Sequence, residues 1–141
     1  HVHPAAMNVL ARCKGVARTV LITDAMRAAG LPAGDYELGG QPVTVKDGSC
    51  RLADGTLAGS ILTMERALAN FMAASGLSLA AAWPATSRTP AQSLGLDHQL
   101  GALKPGYRAD VVLLDVQLQV VATVVGGQVV YLREPARFVK A

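Results

Sequence analysis

The carboxylate of Asp24 follows a short apolar and β-branched run, Thr19-Val20-Leu21-Ile22-Thr23. A carboxylate just past the C-terminal end of a buried parallel strand sits where barrel active sites are built. There it can serve as a general base, a metal ligand, or both. The plainer alternative is a turn or helix-capping residue, because Asp is common after strands. A second candidate is the segment Leu52-Ala53-Asp54-Gly55-Thr56-Leu57-Ala58-Gly59-Ser60. Small residues ahead of a helix leave backbone N–H and C=O groups free to approach a ligand; the alternative is a hairpin turn followed by a capped helix. His1 and His3 are two apart and face one side of an extended segment, a spacing found in some metal sites and equally in incidental pairs. With one Asp, a remote His98 and no Glu cluster, the chain does not supply a complete metal cage. Arg12, Lys14 and Arg18 could hold an anion, though a solvated helix end is the commoner explanation.

The elements that must position these groups alternate between helical and β character. Residues 4–14 read as a helix, with Pro4 in its first turn and Gly15 as its stop. The run at 19–22 does not alternate, which suits a strand buried on both faces. Residues 30–59 are punctuated by glycines and read as a small β-excursion. Lys46-Asp47-Gly48-Ser49 and Ala53-Asp54-Gly55-Thr56 carry Asp-Gly hairpin signals within it. Residues 60–75 predict a helix, from the apolar stripe of Ile61, Leu62, Met64, Ala67, Leu68, Phe71 and Met72 with Gly76 at its end. A further helix from Ser78 is disturbed at Trp83-Pro84, and a short one covers 90–94. Strands follow at 109–115, 120–125 and 129–132, the last two joined at Gly126-Gly127. Lys104-Pro105-Gly106 marks a boundary between the helical and terminal β parts.

Composition narrows the function. With 51% hydrophobic and 16% charged residues, the 141-residue chain is no disordered tail and favours one modest α/β piece with a real core. Aromatic residues at 4% and the absence of a basic run argue against a nucleic-acid partner, despite the net charge of +3. No apolar stretch approaches the ~20 residues of a membrane span. Cys13 and Cys50 lack metal or redox spacing and are expected as free thiols. The opening His1-Val2-His3-Pro4 has no initiator Met, basic region or apolar core of a leader; it reads as a chain entered in mid-domain.

Taken in order, His1-Val2-His3-Pro4, Leu21-Ile22-Thr23-Asp24-Ala25-Met26, Ala53-Asp54-Gly55-Thr56-Leu57-Ala58-Gly59-Ser60 and Leu100-Gly101-Ala102-Leu103-Lys104-Pro105-Gly106 with Ala109-Asp110-Val111-Val112-Leu113-Leu114-Asp115 form a pattern. It resembles the C-terminal part of the N-acetylglucosamine-6-phosphate deacetylases of the amidohydrolase superfamily, from residue 1 to about residue 131. The last of these elements is common to amidohydrolases, whereas the first three point to the sugar-phosphate deacetylases. The resemblance implies an α/β fold, the C-terminal part of a metal-dependent (β/α)8 barrel plus strands of a small β-sandwich domain. Residues 1–103 would be barrel with a β-insertion near 35–53, and 104–141 would be strands of the small domain. It implies hydrolysis of N-acetylglucosamine 6-phosphate to acetate and glucosamine 6-phosphate. Asp24 would take a proton from metal-bound water and give it to the leaving amine. His1, Leu57, Ala58 and Gly59 would contact substrate. A divalent metal, zinc or iron, would be held by residues absent from this chain, with Asp24 as its neighbour. The implied partners are the phosphosugar, the missing N-terminal portion and a second subunit in a homodimer, with no nucleic acid or membrane and a cytoplasmic setting. The chain is therefore expected to be a fragment, inactive alone. Two other functions stay open: an amidohydrolase for another amide or cyclic amide, and a non-catalytic α/β binding module whose exposed edges pair with another chain.

Overall fold

The computed structural model describes residues 2–133. The chain divides into two compact units, one of Leu21–Ala67 and one of His1–Val20 with Leu68–Ala141. Both helices and strands are present, so the α/β class holds.

The first unit is built on a four-stranded antiparallel sheet in the order β1-β2-β3-β4, comprising Gly34–Leu38, Gln41–Lys46, Ser49–Arg51 and Leu57–Gly59. Its tight turns follow from residues that tolerate positive φ. Gly39 and Gly40 (φ 60° and 82°) join β1 to β2, and Asp47 and Gly48 (φ 50° and 72°) join β2 to β3. The β2–β3 hairpin and the turn after it stand at the two Asp-Gly signals. β2 buries Val43 and Val45 and exposes the residues between them, the period of two of a half-buried strand. Val43, Val45 and Cys50 form a core with Met26 and Ala28, and Tyr36, Leu38, Leu52, Ala58 and Ile61 pack around it.

In the second unit, α1 (Pro4–Lys14) has the bounds read from sequence and is capped by Gly15, whose N–H bonds to Ala11 O. α1 buries no residue, and Val9 and Leu10 are exposed. A 3-10 turn, Val16–Arg18, follows. α2 (Met64–Ser75) starts four residues later than Ser60, because Ser60 is held in a β-bridge with Ala25. Its Leu68 and Phe71 are fully buried. The Trp83-Pro84 disturbance is real: α3 (Leu79–Ala82) gives way to a 3-10 turn, Trp83–Thr86. α4 (Arg88–Ser93) begins before the expected Pro90, within which Thr89 is buried and donates from its hydroxyl to Val16 O at 3.1 Å. The antiparallel strands β5 (Val111–Leu114), β6 (Val120–Val125) and β7 (Gln128–Leu132) form a three-stranded sheet in that order. β6 and β7 turn at Gly126 and Gly127.

Residues 19–22 correct the sequence reading. Thr19 is extended (φ −118°, ψ 124°) and buried, but no ladder forms along the run. Ile22 is 67% exposed and Val20 39%, so the run is not buried on both faces. A strand is a pairing of backbone groups, and among the described residues only Ala25, just beyond Asp24, finds a partner.

Candidate active site

Asp24 lies at the end of this run with φ 49°, in the left-handed region that Asp tolerates better than most residues. Its side chain is exposed and makes no hydrogen bond or ion pair among the described residues. The residue that follows is pinned. Ala25 forms a parallel bridge with Ser60, and the Met26 N–H donates to Ser60 O at 2.8 Å. Ser60 directly follows β4, so this bridge brings the Asp24 segment alongside the end of Leu57–Gly59. Two motifs far apart in sequence thus meet within one compact unit.

β4 is the edge strand of its sheet. Cys50 pairs with Gly59 and Arg51 with Leu57, and the bulge between them leaves Ala58 without a register partner. Bulges of this kind re-aim a strand beside functional sites. The turn leading into β4 is self-supporting. Leu52 N donates to Thr56 O and Gly55 N to Leu52 O, each at 2.9 Å. Arg51 Nη1 donates to Gly55 O at 2.6 Å. Asp54 accepts from Thr56 N at 2.9 Å, and this backbone bond, then the Thr56 side chain, holds its carboxyl below the usual range. On the other side of the site, Ser60 Oγ accepts from Leu62 N at 3.1 Å, and Thr63 donates to Glu65 at the start of α2.

His1 lies outside the described residues. His3 is the N-cap of α1, its Nδ1 accepting from Ala5 N at 3.2 Å, so that nitrogen serves the helix. Arg12 and Lys14 occupy the last turn of α1 and Arg18 the end of the following 3-10 turn, all exposed. That is the favourable place for cations at a helix C-terminus. His98 is exposed in a turn. Cys13 and Cys50 are both free thiols. Among the described residues no three His, Cys, Asp or Glu side chains come together to hold a metal ion, and no helix is long and apolar enough to cross a membrane. Met26 and Cys50, which meet in the core next to both segments, carried no site role in the sequence reading.

Comparison with known proteins identifies the family. The Amidohydrolase family model matches residues 20–130. The chain is 44% identical over 131 residues to an N-acetylglucosamine-6-phosphate deacetylase of Vibrio furnissii, covering 93% of this chain and 33% of that protein. It is 48% identical over 128 residues to a putative N-acetylgalactosamine-6-phosphate deacetylase of Escherichia coli K12, covering 91% of this chain and 76% of that one. The crystal structure of the N-acetylglucosamine-6-phosphate deacetylase of Thermotoga maritima superposes with a TM-score of 0.83 at 41% identity, over 94% of this chain and 36% of that one. The Mycobacterium smegmatis enzyme, an aspartate-to-alanine variant in complex with N-acetyl-D-glucosamine-6-phosphate, superposes with a TM-score of 0.82 at 37% identity, over 92% and 35%. The chain thus spans about a third of the Vibrio furnissii relative and of both solved structures. From the stretch matched by the family model, the chain belongs to the amidohydrolase family.

Proposed function

We propose that this chain is the C-terminal part of a deacetylase that hydrolyses N-acetylglucosamine 6-phosphate to acetate and glucosamine 6-phosphate. The observation that supports it is the parallel bridge between Ala25 and Ser60, which brings the Asp24 segment alongside the end of Leu57–Gly59. The relatives named as phosphosugar deacetylases support it. In this proposal Asp24 takes a proton from the attacking water and passes it to the amide nitrogen as the C–N bond breaks. An exposed carboxylate with no competing partner among the described residues suits that exchange. Leu57, Ala58 and Gly59 present backbone to the sugar from an edge strand with a bulge, and His1 adds a side-chain contact.

The described residues form no metal site. The proposal takes a divalent ion, zinc or iron, to be held by residues of the upstream portion, as the resemblance to the deacetylases implies. The same proposal makes residues 1–103 the end of a (β/α)8 barrel with a β-insertion near 35–53, and residues 104–141 strands of a small β-sandwich. It also takes the intact protein to be a cytoplasmic homodimer and the chain alone to be inactive.

The test joins the chain to its upstream portion, supplies a divalent metal and measures acetate release from N-acetylglucosamine 6-phosphate. Asp24→Asn is expected to lower kcat by about 10²–10⁴-fold; undiminished activity removes Asp24 from the mechanism. The 48% identity to a relative named for the galactosamine epimer favours a second substrate reading. N-acetylgalactosamine 6-phosphate in the same assay decides it, through the ratio of the two kcat/KM values.

A further inference from the structure

We propose that Met26 is a positioning residue that sets the separation between Asp24 and the backbone of Leu57–Gly59. This rests on the deacetylase reading of that site and names a residue which that reading leaves without a role. Met26 is two residues beyond Asp24 and 8% exposed. Its backbone N–H donates to Ser60 O at 2.8 Å, one residue past β4. Its side chain runs under the same strand. The Cys50 thiol, fully buried, donates to Met26 Sδ at 3.3 Å, and Cys50 is the register partner of Gly59.

Gly59 completes the device. A Cβ placed there would stand 3.2 Å from Met26 Sδ, 3.3 Å from Met26 Cγ and 3.0 Å from Leu38 Cδ2. β4 therefore passes close over the thioether, and a methyl group at Gly59 would be tightly placed between Met26 and Leu38. One side chain thus touches the floor of the substrate loop while its own backbone is covalently tied to the carboxylate. An unbranched thioether fills such an irregular gap well. A methyl at Gly59 requires Leu38, Met26 or β4 itself to shift by a few tenths of an ångström, and where Met26 or β4 shifts the spacing across the site changes. Catalytic geometry is sensitive to displacements of that order.

The experiment uses the metal-loaded full-length enzyme, with kcat, KM and calorimetric affinity for glucosamine 6-phosphate as readouts and thermal melting as the folding control. Gly59→Ala is expected to lower kcat/KM about tenfold. Adding Met26→Ala, which removes both Met26 atoms the new methyl meets, should make the double variant at least about threefold better than the product of the two single effects. Met26→Leu, close in volume, should stay within about threefold of wild type. A purely structural role would lower the melting temperature without such coupling at temperatures well below the transition. Unchanged kcat/KM for Gly59→Ala overturns the positioning role, as do purely multiplicative effects in the pair. If Met26→Ala does not fold, Met26→Val, which removes the Sδ that the new methyl meets, takes its place in the pair, with the same coupling expected and its absence overturning the role. A wild-type enzyme inert toward both phosphosugars overturns the deacetylase reading and this role with it; an active wild type with uncoupled variants overturns this role only.

Discussion

Strand β2 buries Val43 and Val45 between exposed neighbours, whereas every residue of β7, including Val129, Val130 and Tyr131, is exposed. The two sheets are held by different physics. β1–β4 closes on its own core of Met26, Ala28, Val43, Val45 and Cys50, all under 9% exposed. In β5–β7 only Ala122 is buried among the strand residues, and polar ties stand at the ends of the sheet. Asp115 accepts from Gln117 N at 2.9 Å and Gln119 N at 2.8 Å and pairs with Arg133 at 2.6 Å. Asp110 accepts from Gly126 N at 2.7 Å and pairs with Arg108. The difference teaches where a site can be built. Leu57–Gly59 belong to the sheet that packs its own floor and Asp24 is tied beside it through the Ala25 bridge, so the proposed site would have a rigid support.

The contrast can be broken by placing one charge in each sheet of the 141-residue chain. Val43→Asp puts an unpaired carboxylate at a position 2% exposed and should cost about 3–5 kcal/mol. Val129→Asp, at 63% exposure, should stay within about 0.5 kcal/mol. Equal losses in thermal unfolding would show that β7 is as well covered as β2. A smaller loss comes from Gly101→Ala. Gly101 has φ 84°, and a Cβ there would lie 2.9 Å from Arg88 Cα, so the backbone of α4 must yield. The expected cost is about 1–3 kcal/mol in denaturant unfolding; no change would mean the turn relaxes freely.

The smallest effect is one of pH. Asp115 is held below the usual carboxylate range by its hydrogen bond to Arg133 and then by Gln119 N. A depressed carboxyl contributes stability that is full above its unfolded pKa and is lost as pH falls through the lower folded value. Asp115→Asn should therefore lower the stability of β5–β7 slightly at neutral pH, leave it little changed in acid, and so flatten the acid limb of its stability curve. Hydrogen exchange at β6 amides between neutral and acid pH reads this directly. An acid limb identical to wild type would show that the tie contributes nothing.

Local chemistry was the most legible part of the fold. Pro4 and Gly15 bound α1, the Asp-Gly pairs mark their turns, and Gly126-Gly127 joins β6 to β7. These are decided by residues within a few positions of one another. Pairing over long separations was not legible. The apolar run at 19–22 has the composition of a strand, but composition cannot tell whether a partner strand is present, and none pairs with it among the described residues. The stripe beginning at Ile61 promised a helix from Ser60, yet the bond from Met26 N claims Ser60 O, and the helix waits until Met64. For the site, Asp24 and the 57–59 loop were visible as motifs. Their juxtaposition depends on one bridge, and the contact between Met26 and Cys50 on side chains 24 positions apart. No periodicity encodes such contacts.

The most direct test of the account is acetate release from N-acetylglucosamine 6-phosphate by the full-length, metal-loaded enzyme, comparing wild type with Asp24→Asn. The account predicts turnover by the wild type and a kcat lower by about 10²–10⁴-fold in the variant, with both proteins melting alike. Equal turnover by the two, or none by the wild type, would contradict it.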